Sequence, residues 1–258
     1  MSSAGLDVLA IAAHRDDVEQ TCGGTLAKMS QRRQRVGILD LTRGELGTRG
    51  TAEDREREAI DAAKILGAVW RGALDIADGR VENTYENRLK VARVIRLTRP
   101  RVVILPYWKG RHPDHYTCST LGYEACFLAG LAKLDLSSVS LSSLQVNLAT
   151  DNQQPAIAPH RPFKILYATL YYDVRPTFVV DITQQFEAKL ASILAYKSQF
   201  SDQEAGKDIF PAAAEIRTRV ESMARFYGML AGVTQAEPFL QKEVGLVDDL
   251  TGIPVKSI

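Results

Sequence analysis

Two short stretches of this chain combine histidine and aspartate at spacings that suit metal chemistry. The first is His14-Arg15-Asp16-Asp17 and the second His112-Pro113-Asp114-His115. The chain has four histidines, and three of them stand in these two stretches, each close to a carboxylate. Zinc in hydrolytic sites takes three nitrogen or oxygen ligands and leaves a position for water. His14 and Asp17 are three residues apart, as are His112 and His115, so the two stretches together can supply a His, Asp, His set. One His and one or two Asp then remain free. Metal-assisted amide hydrolysis needs such groups: a carboxylate takes the proton of the water, and a second group stabilises the oxyanion and helps the amine leave. Singly, each residue has a plainer explanation. His14 alone would be structural, Asp16 or Asp17 a helix N-cap, and Asp114 the cap of a helix beginning near His115. It is the joint occurrence that points to a metal.

Both stretches follow apolar strands. Residues 8–13 form one apolar run that stops at His14, and Gly23 and Gly24 follow in a helix start. Residues 101–106 form the other, running through Tyr107–Arg111 into the second motif and a helix over 114–132. Between them the pattern predicts a helix over about 21–35, a strand at 36–42 and the glycine-rich loop RGELGTRG. A second helix starts at a Thr51/Asp54 capping box and ends at Gly67. A short strand near 69–76 follows, then a turn at Asp78-Gly79 and a helix over 84–98 stopped by Pro100. Further on, strands are expected at 164–172 and 177–182, a helix through Tyr196 and a last helix over 212–230. The tail after Gly232 has little periodicity. Residues 135–160, rich in Ser, Asn and Gln, read as a polar surface excursion.

Alternating strands and helices indicate βαβ units. The fold class is therefore α/β, a Rossmann-like, mostly parallel sheet with helices on both faces, in one domain spanning 1–258. Right-handed crossovers put every strand's C-terminal edge on one side of the sheet, where ligands bind. Residues 14–17 and 112–115 converge there.

Composition is that of an ordinary globular protein, 45% hydrophobic and 24% charged, with a net charge of +1. Nothing suggests a nucleic-acid surface. Apolar runs are too short for a membrane span. The N-terminus lacks the basic region of a signal peptide. Three cysteines, Cys22, Cys118 and Cys126, without CxxC spacing fit buried positions in a reduced, cytoplasmic setting.

The residues AHRDDVE resemble the AHPDDxE motif of the LmbE/PIG-L metal-dependent N-deacetylases, and RHPDH resembles their second motif. DLTRGELGTRGT, AAKILGA, PYWKGRHPDH, AYKSQF and GVTQAEPF extend the likeness, from residue 6 to about 241, toward the bacillithiol-biosynthesis deacetylases that act on N-acetylglucosaminyl malate. This resemblance implies that His14, Asp17 and His115 bind Zn2+, with Fe2+ an alternative. It implies that Asp16 is the general base, that His112, as imidazolium, stabilises the oxyanion, and that Asp114 orients a motif histidine. Arg49, Arg55 and Tyr196 are the substrate-contact candidates, with Lys109 and Arg111 as flanking cations. Relatives of this type form trimers or hexamers, so a homo-oligomer is expected. The chain departs from the family at Arg15, where proline is usual. Its side chain is expected to point to solvent, the sharper alternative being an effect on metal affinity or an acidic substrate group. The substrate is a small N-acetylglucosaminide. Rival readings are an amidase on another N-acetylglucosamine conjugate and, in a different class, a non-catalytic Rossmann-like module binding metal or nucleotide. The absence of GxGxxG argues against the latter.

Overall fold

Strand β1 (Val8–Ala12) is apolar and buried at every position, as expected for a central strand covered on both faces. Leu9 and Ile11 enter one core with Val91, Ile95, Leu121 and Ala125. Val8, Ala10 and Ala12 enter the other with Val18, Leu26 and Ile38. The computed structural model describes residues 5–141, 144–149, 158–170, 174–201, 204–209 and 211–255.

From β1 the chain passes through α1 (Asp17–Gln31), β2 (Val36–Asp40), α2 (Ala52–Ile65), β3 (Trp70–Ala73), α3 (Tyr85–Thr98), β4 (Val102–Pro106) and α4 (Pro113–Ala129). It continues as β5 (Gln145–Ala149), β6 (Lys164–Ala168), β7 (Phe178–Asp181), α5 (Phe186–Leu194), α6 (Lys197–Phe200), α7 (Ala213–Met229) and β8 (Ala236–Leu240), with a 3-10 turn at Leu250–Gly252. Among the described residues the strands form one eight-stranded sheet in the order β5-β3-β2-β1-β4-β6-β8-β7. β1 pairs in parallel with both β2 and β4, Val8 lying opposite Val36 on one side and Val102 on the other. β5 and β8 run antiparallel to their neighbours. The expected α/β, mostly parallel architecture is the one observed.

Local signals account for the boundaries that position the site. Thr51 and Asp54 form a complete capping box, with Asp54 N donating to Thr51 Oγ1 (3.1 Å) and Thr51 N to Asp54 Oδ2 (3.0 Å). Pro113 opens α4 at a position where no backbone donor is needed. Arg99 ends α3 in the left-handed region just before Pro100.

Four expectations change. The helix expected to run through Tyr196 ends at Leu194, and the short α6 starts at Lys197. Helix α1 begins at Asp17 rather than near 21, so Asp17 belongs to its first turn. The tail after Gly232 contains β8, whose five residues are all buried between β6 and β7. Its proline and glutamate break the alternating pattern that would have revealed a strand. Part of the polar excursion, Gln145–Ala149, is the edge strand β5, paired antiparallel with β3. Residues 142–143 and 150–157 of that excursion lie outside the described residues.

Candidate metal centre

β1 and β4 are neighbours at the point where the strand order reverses. The loops leaving them diverge there and open a crevice at the C-terminal edge of the sheet. The first loop carries His14, Asp16 and Asp17; the second, after Tyr107, carries His112, with Asp114 and His115 in the first turn of α4. A cavity of about 360 Å3 lies between them, lined by Asp17, Val18, Thr21, His112 and His115, with Ile11 and Ile104 among the strand residues below.

Three residues face one another here, His14, His115 and Asp17, the last through both of its carboxylate oxygens. His14 Nδ1 is 3.3 Å from His115 Nε2 and 3.4 Å from Asp17 Oδ2, and His115 Nε2 is 3.2 Å from Asp17 Oδ1. Ligands about 2.1 Å from a tetrahedral zinc stand roughly 3.4 Å from one another. The spacing of these donors therefore fits a divalent ion. His112 belongs to the same group: ligand atoms of His14, His112 and His115 all lie within 4.8 Å of one another. A second acidic cluster meets the far edge of the His14 ring, where Nε2 is 3.1 Å from both Asp114 Oδ2 and Asp78 Oδ1. A proton on Nε2 then leaves the Nδ1 lone pair facing Asp17 and His115, the orientation that carboxylate partners impose on a ligating histidine. Asp114 is itself fixed by the N–H groups of Gly79 (2.8 Å) and Val81 (3.2 Å).

The sequence marks Asp78 only as a turn residue. It sits on the loop after β3, its Oδ2 accepting from Leu46 N (3.0 Å). Only the approach of this loop to His14 reveals its place; an Asp-Gly turn carries no such signal.

Electrostatics follow from the crowding. Burial disfavours charge on His14, but hydrogen bonds and charges from Asp17 and Asp78 outweigh it and raise the ring to about 11. Burial likewise opposes ionisation of Asp17, yet His115 and His14 hold its carboxyl well below the usual range. For Asp16 burial wins: against the pull of Arg55, and with Asp17 and Glu19 adding to the rise, its carboxyl is pushed up to about 7.

Asp16 occupies the N-cap position of α1 but makes no capping bond; its φ is 95°. A left-handed non-glycine residue costs energy, and such strain persists where surrounding contacts enforce it. Here Arg55 does so, donating from Nη2 to Asp16 Oδ1 (3.2 Å) and to the carbonyl of Arg15 (2.5 Å). Gly44 makes room for this guanidinium, since a Cβ there would lie 2.3 Å from Arg55 Nη1. Arg55 is thus brought to the site, as a clamp on Asp16.

The other predicted contacts fall elsewhere. Arg49 is buried, donating to the carbonyls of Ala205 (2.6 Å), Gln199 (3.0 Å) and Ser201 (3.2 Å). Gln199 Nε2 returns a bond to Arg49 O (2.7 Å). The RGELGTRGT and YKSQF stretches thus pack against each other. Tyr196 is fully buried and donates its hydroxyl to Glu19 (3.2 Å), a core tyrosine rather than a pocket one. Arg111 lines the site cavity, while Lys109 is exposed on the loop.

Arg15 does not point to solvent: it is 0% exposed. Nη1 donates to Ala52 O (2.8 Å), and Nη2 lies 3.9 Å from Glu56. His112, not Asp114, caps α4, its Nδ1 accepting from Asp114 N (3.2 Å). That bond needs an unprotonated Nδ1, so the proton available to a substrate sits on Nε2 of a neutral ring. Burial and the neighbouring His14 and His115 push the same way, lowering the His112 pKa. Both effects disfavour the expected imidazolium.

Comparison with known proteins places this geometry. Residues 9–126 match the family model described as PIG-L, GlcNAc-PI de-N-acetylase. Diacetylchitobiose deacetylase of Thermococcus kodakarensis is 31% identical over 241 residues, an alignment covering 89% of this chain and 80% of that protein. Among solved structures, the conserved protein TT1542 of Thermus thermophilus is similar with a TM-score of 0.76 and 36% identity, covering 94% of this chain and 98% of that one. The N,N'-diacetylchitobiose deacetylase of Pyrococcus horikoshii, complexed with its inhibitor MPG, gives a TM-score of 0.72 at 27% identity, over 90% of this chain and 82% of that one.

Proposed function

From the premise that the chain belongs to the PIG-L family of deacetylases, we propose that it is a divalent-metal-dependent N-deacetylase of a small N-acetylglucosamine-type sugar. The observation that carries this reading is the cluster of His14 Nδ1, His115 Nε2 and the two carboxylate oxygens of Asp17, with contacts of 3.2 to 3.4 Å, at the strand-order reversal. His14, Asp17 and His115 hold the ion. When bound, it would acidify a water molecule and polarise the amide carbonyl. A His, His, Asp set does not select zinc by ligand type alone; Zn2+ is the first choice and Fe2+ the alternative.

The chain's own groups do the rest. Asp16, held by Arg55, removes the proton of the attacking water and returns it to the departing nitrogen. His112 offers its Nε2 proton to the amide oxygen as that oxygen becomes negative. Asp114 and Asp78 fix the His14 ring through Nε2. The products are the free amino sugar and acetate.

The relatives of Thermococcus kodakarensis and Pyrococcus horikoshii are diacetylchitobiose deacetylases, which makes a chitobiose-type sugar a leading candidate. The narrower alternative is N-acetylglucosaminyl malate. Its support came from RGELGTRGT and YKSQF, which here are joined to each other by the Arg49–Gln199 bonds.

Acetate release from both sugars, measured for wild type and Asp16→Ala with bound metal quantified, tests the proposal. Wild type should turn over at least one of them. Asp16→Ala should keep its metal and lose activity by about 10^2–10^4-fold. A wild type that binds one ion per chain yet releases no acetate from either would remove the substrate class. A wild type that binds no ion would remove the metal reading.

A further inference from the structure

Helix α1 carries Asp17 in its first turn and is broken one turn later. Cys22 has φ −140° and ψ 18°, outside the helical region. In an unbroken helix the N–H groups of Gly24 and Thr25 would bond to the carbonyls of Gln20 and Thr21. Here both are directed to one carboxylate: Gly24 N donates to Glu237 Oε1 (2.9 Å) and Thr25 N to Glu237 Oε2 (2.6 Å). The carbonyl of Gln20 accepts instead from Lys189 Nζ (2.7 Å), and Lys189 Nζ also donates to Glu237 Oε1 (2.5 Å). Glu237 is 2% exposed and Lys189 4%. A buried ion pair from β8 and α5 thus replaces the helix's own bonds across the break, an acceptor for its two donors and a donor for its carbonyl.

The break shapes the site. Asp17, Val18, Thr21 and Cys22 line the crevice between β1 and β4, and Thr21 Oγ1 ties back to Asp17 O (2.8 Å). The turn Asp17–Thr21 therefore has a direction of its own. The rest of α1 lies tight on the end of β7, where a Cβ on Gly24 would meet Ile182 Cδ1 at 2.8 Å. Backbone bonds alone would realign the turn with that rigid segment.

We propose that Lys189 and Glu237 are positioning residues for the metal-binding turn, holding the break in α1 open so that Asp17 faces His14 and His115. This rests on the deacetylase reading of the site.

The test is Co2+ titration of the metal-stripped full-length protein, with amide hydrogen exchange. Glu237→Gln leaves one helix N–H facing an amide donor, and Lys189→Met leaves Gln20 O without its partner. Each should weaken Co2+ binding by about tenfold and speed exchange over residues 17–25. Lys189→Arg keeps both donations, and the cavity of about 210 Å3 beside it leaves room for the larger head; it should bind Co2+ nearly as wild type does. A merely structural pair would lower Tm in the first two variants and leave Co2+ affinity in place, and that result overturns the proposal. Should both variants fail to fold, wild type decides. Coupling is reciprocal, so saturating Co2+ should slow exchange at Gly24 and Thr25, and unchanged exchange there overturns the proposal. Failure of wild type itself to bind Co2+ is a different outcome, which removes the metal reading of the site and this inference with it.

Discussion

Arg15 follows the first ligand directly, yet its guanidinium lies inside the protein against Ala52 O, with Glu56 nearby. It is part of a buried charge cluster. Arg71, also 0% exposed, pairs with Asp40 (2.9 Å) and Glu19 (2.6 Å), and Tyr196 donates to Glu19. Removing Arg15 leaves the Ala52 carbonyl without its buried donor, at a typical cost of about 1–3 kcal/mol. Arg15→Ala should lose that much unfolding free energy in urea. Because Arg15 is buried, the KM for acidic and neutral sugars should change alike; a selective rise for an acidic sugar would contradict this placement. Arg55 differs in kind. Arg55→Ala frees the strained Asp16 without touching the three ligand side chains. Bound metal should stay at the wild-type level while kcat falls roughly 10–100-fold, the usual consequence of a misplaced reacting group. Metal loss in parallel with activity would instead make Arg55 a guardian of the ligand turn.

At the level of elements, β8 joins the edge strand β7 to the rest of the sheet. It pairs with both β6 and β7, buries Phe239 and delivers Glu237 to α1. The segment beyond it is exposed throughout its described length, from Lys242 to Val255. Tolerance to truncation follows burial and backbone bonding rather than position in the chain. A chain ending at Glu243 should keep its Tm within a few degrees, whereas one ending at Gly232 should not fold, as read by circular dichroism. Equal behaviour of the two truncations would mean that β8 contributes little. The helices also seal the thiols. Burial pushes Cys22 and Cys126 up to about 12 and also raises Cys118 well above its ordinary value. Since the thiolate is the reactive form, none should react with iodoacetamide at pH 8 in the native protein, and all three should react in guanidinium. Fast native labelling of any one would show an opening of its helix.

For the molecule as a whole, the site joins two loops nearly 100 residues apart in sequence. A ligand that binds only the folded state adds about 2.7 kcal/mol at a hundredfold excess over its Kd. In a chain of this size each kcal/mol moves Tm by roughly 2–4 °C. Zinc at that excess should therefore raise the Tm of chelator-stripped protein by about 5–10 °C, as measured by calorimetry. No shift in the ligand variant His14→Ala, beside a clear shift in wild type, would locate the effect; equal shifts in both would place it elsewhere. Among the described residues no helix is long and apolar enough to cross a membrane.

The sequence by itself determined the parallel core, the two motif loops and their shared edge. These depend on local facts: apolar runs of strand length, caps such as Thr51, breakers such as Pro100, and a topology in which parallel strands all end on one side. It also determined which side chains have metal-ligand chemistry. What tertiary structure decided is which neighbours those side chains meet. Asp78 reaches His14 because the β3 loop folds over the switch point. Arg15 turns inward because α2 offers it a carbonyl, and Tyr196 and Arg49 are occupied by core and loop partners before any substrate could meet them. β8 escaped sequence reading because a buried glutamate and a proline hide its strand character. That glutamate makes sense only beside two amides that a break in a distant helix sets free. Periodicity reports the face a residue prefers, whereas a buried polar group is placed by partners far away in the chain, and only the folded chain brings them together.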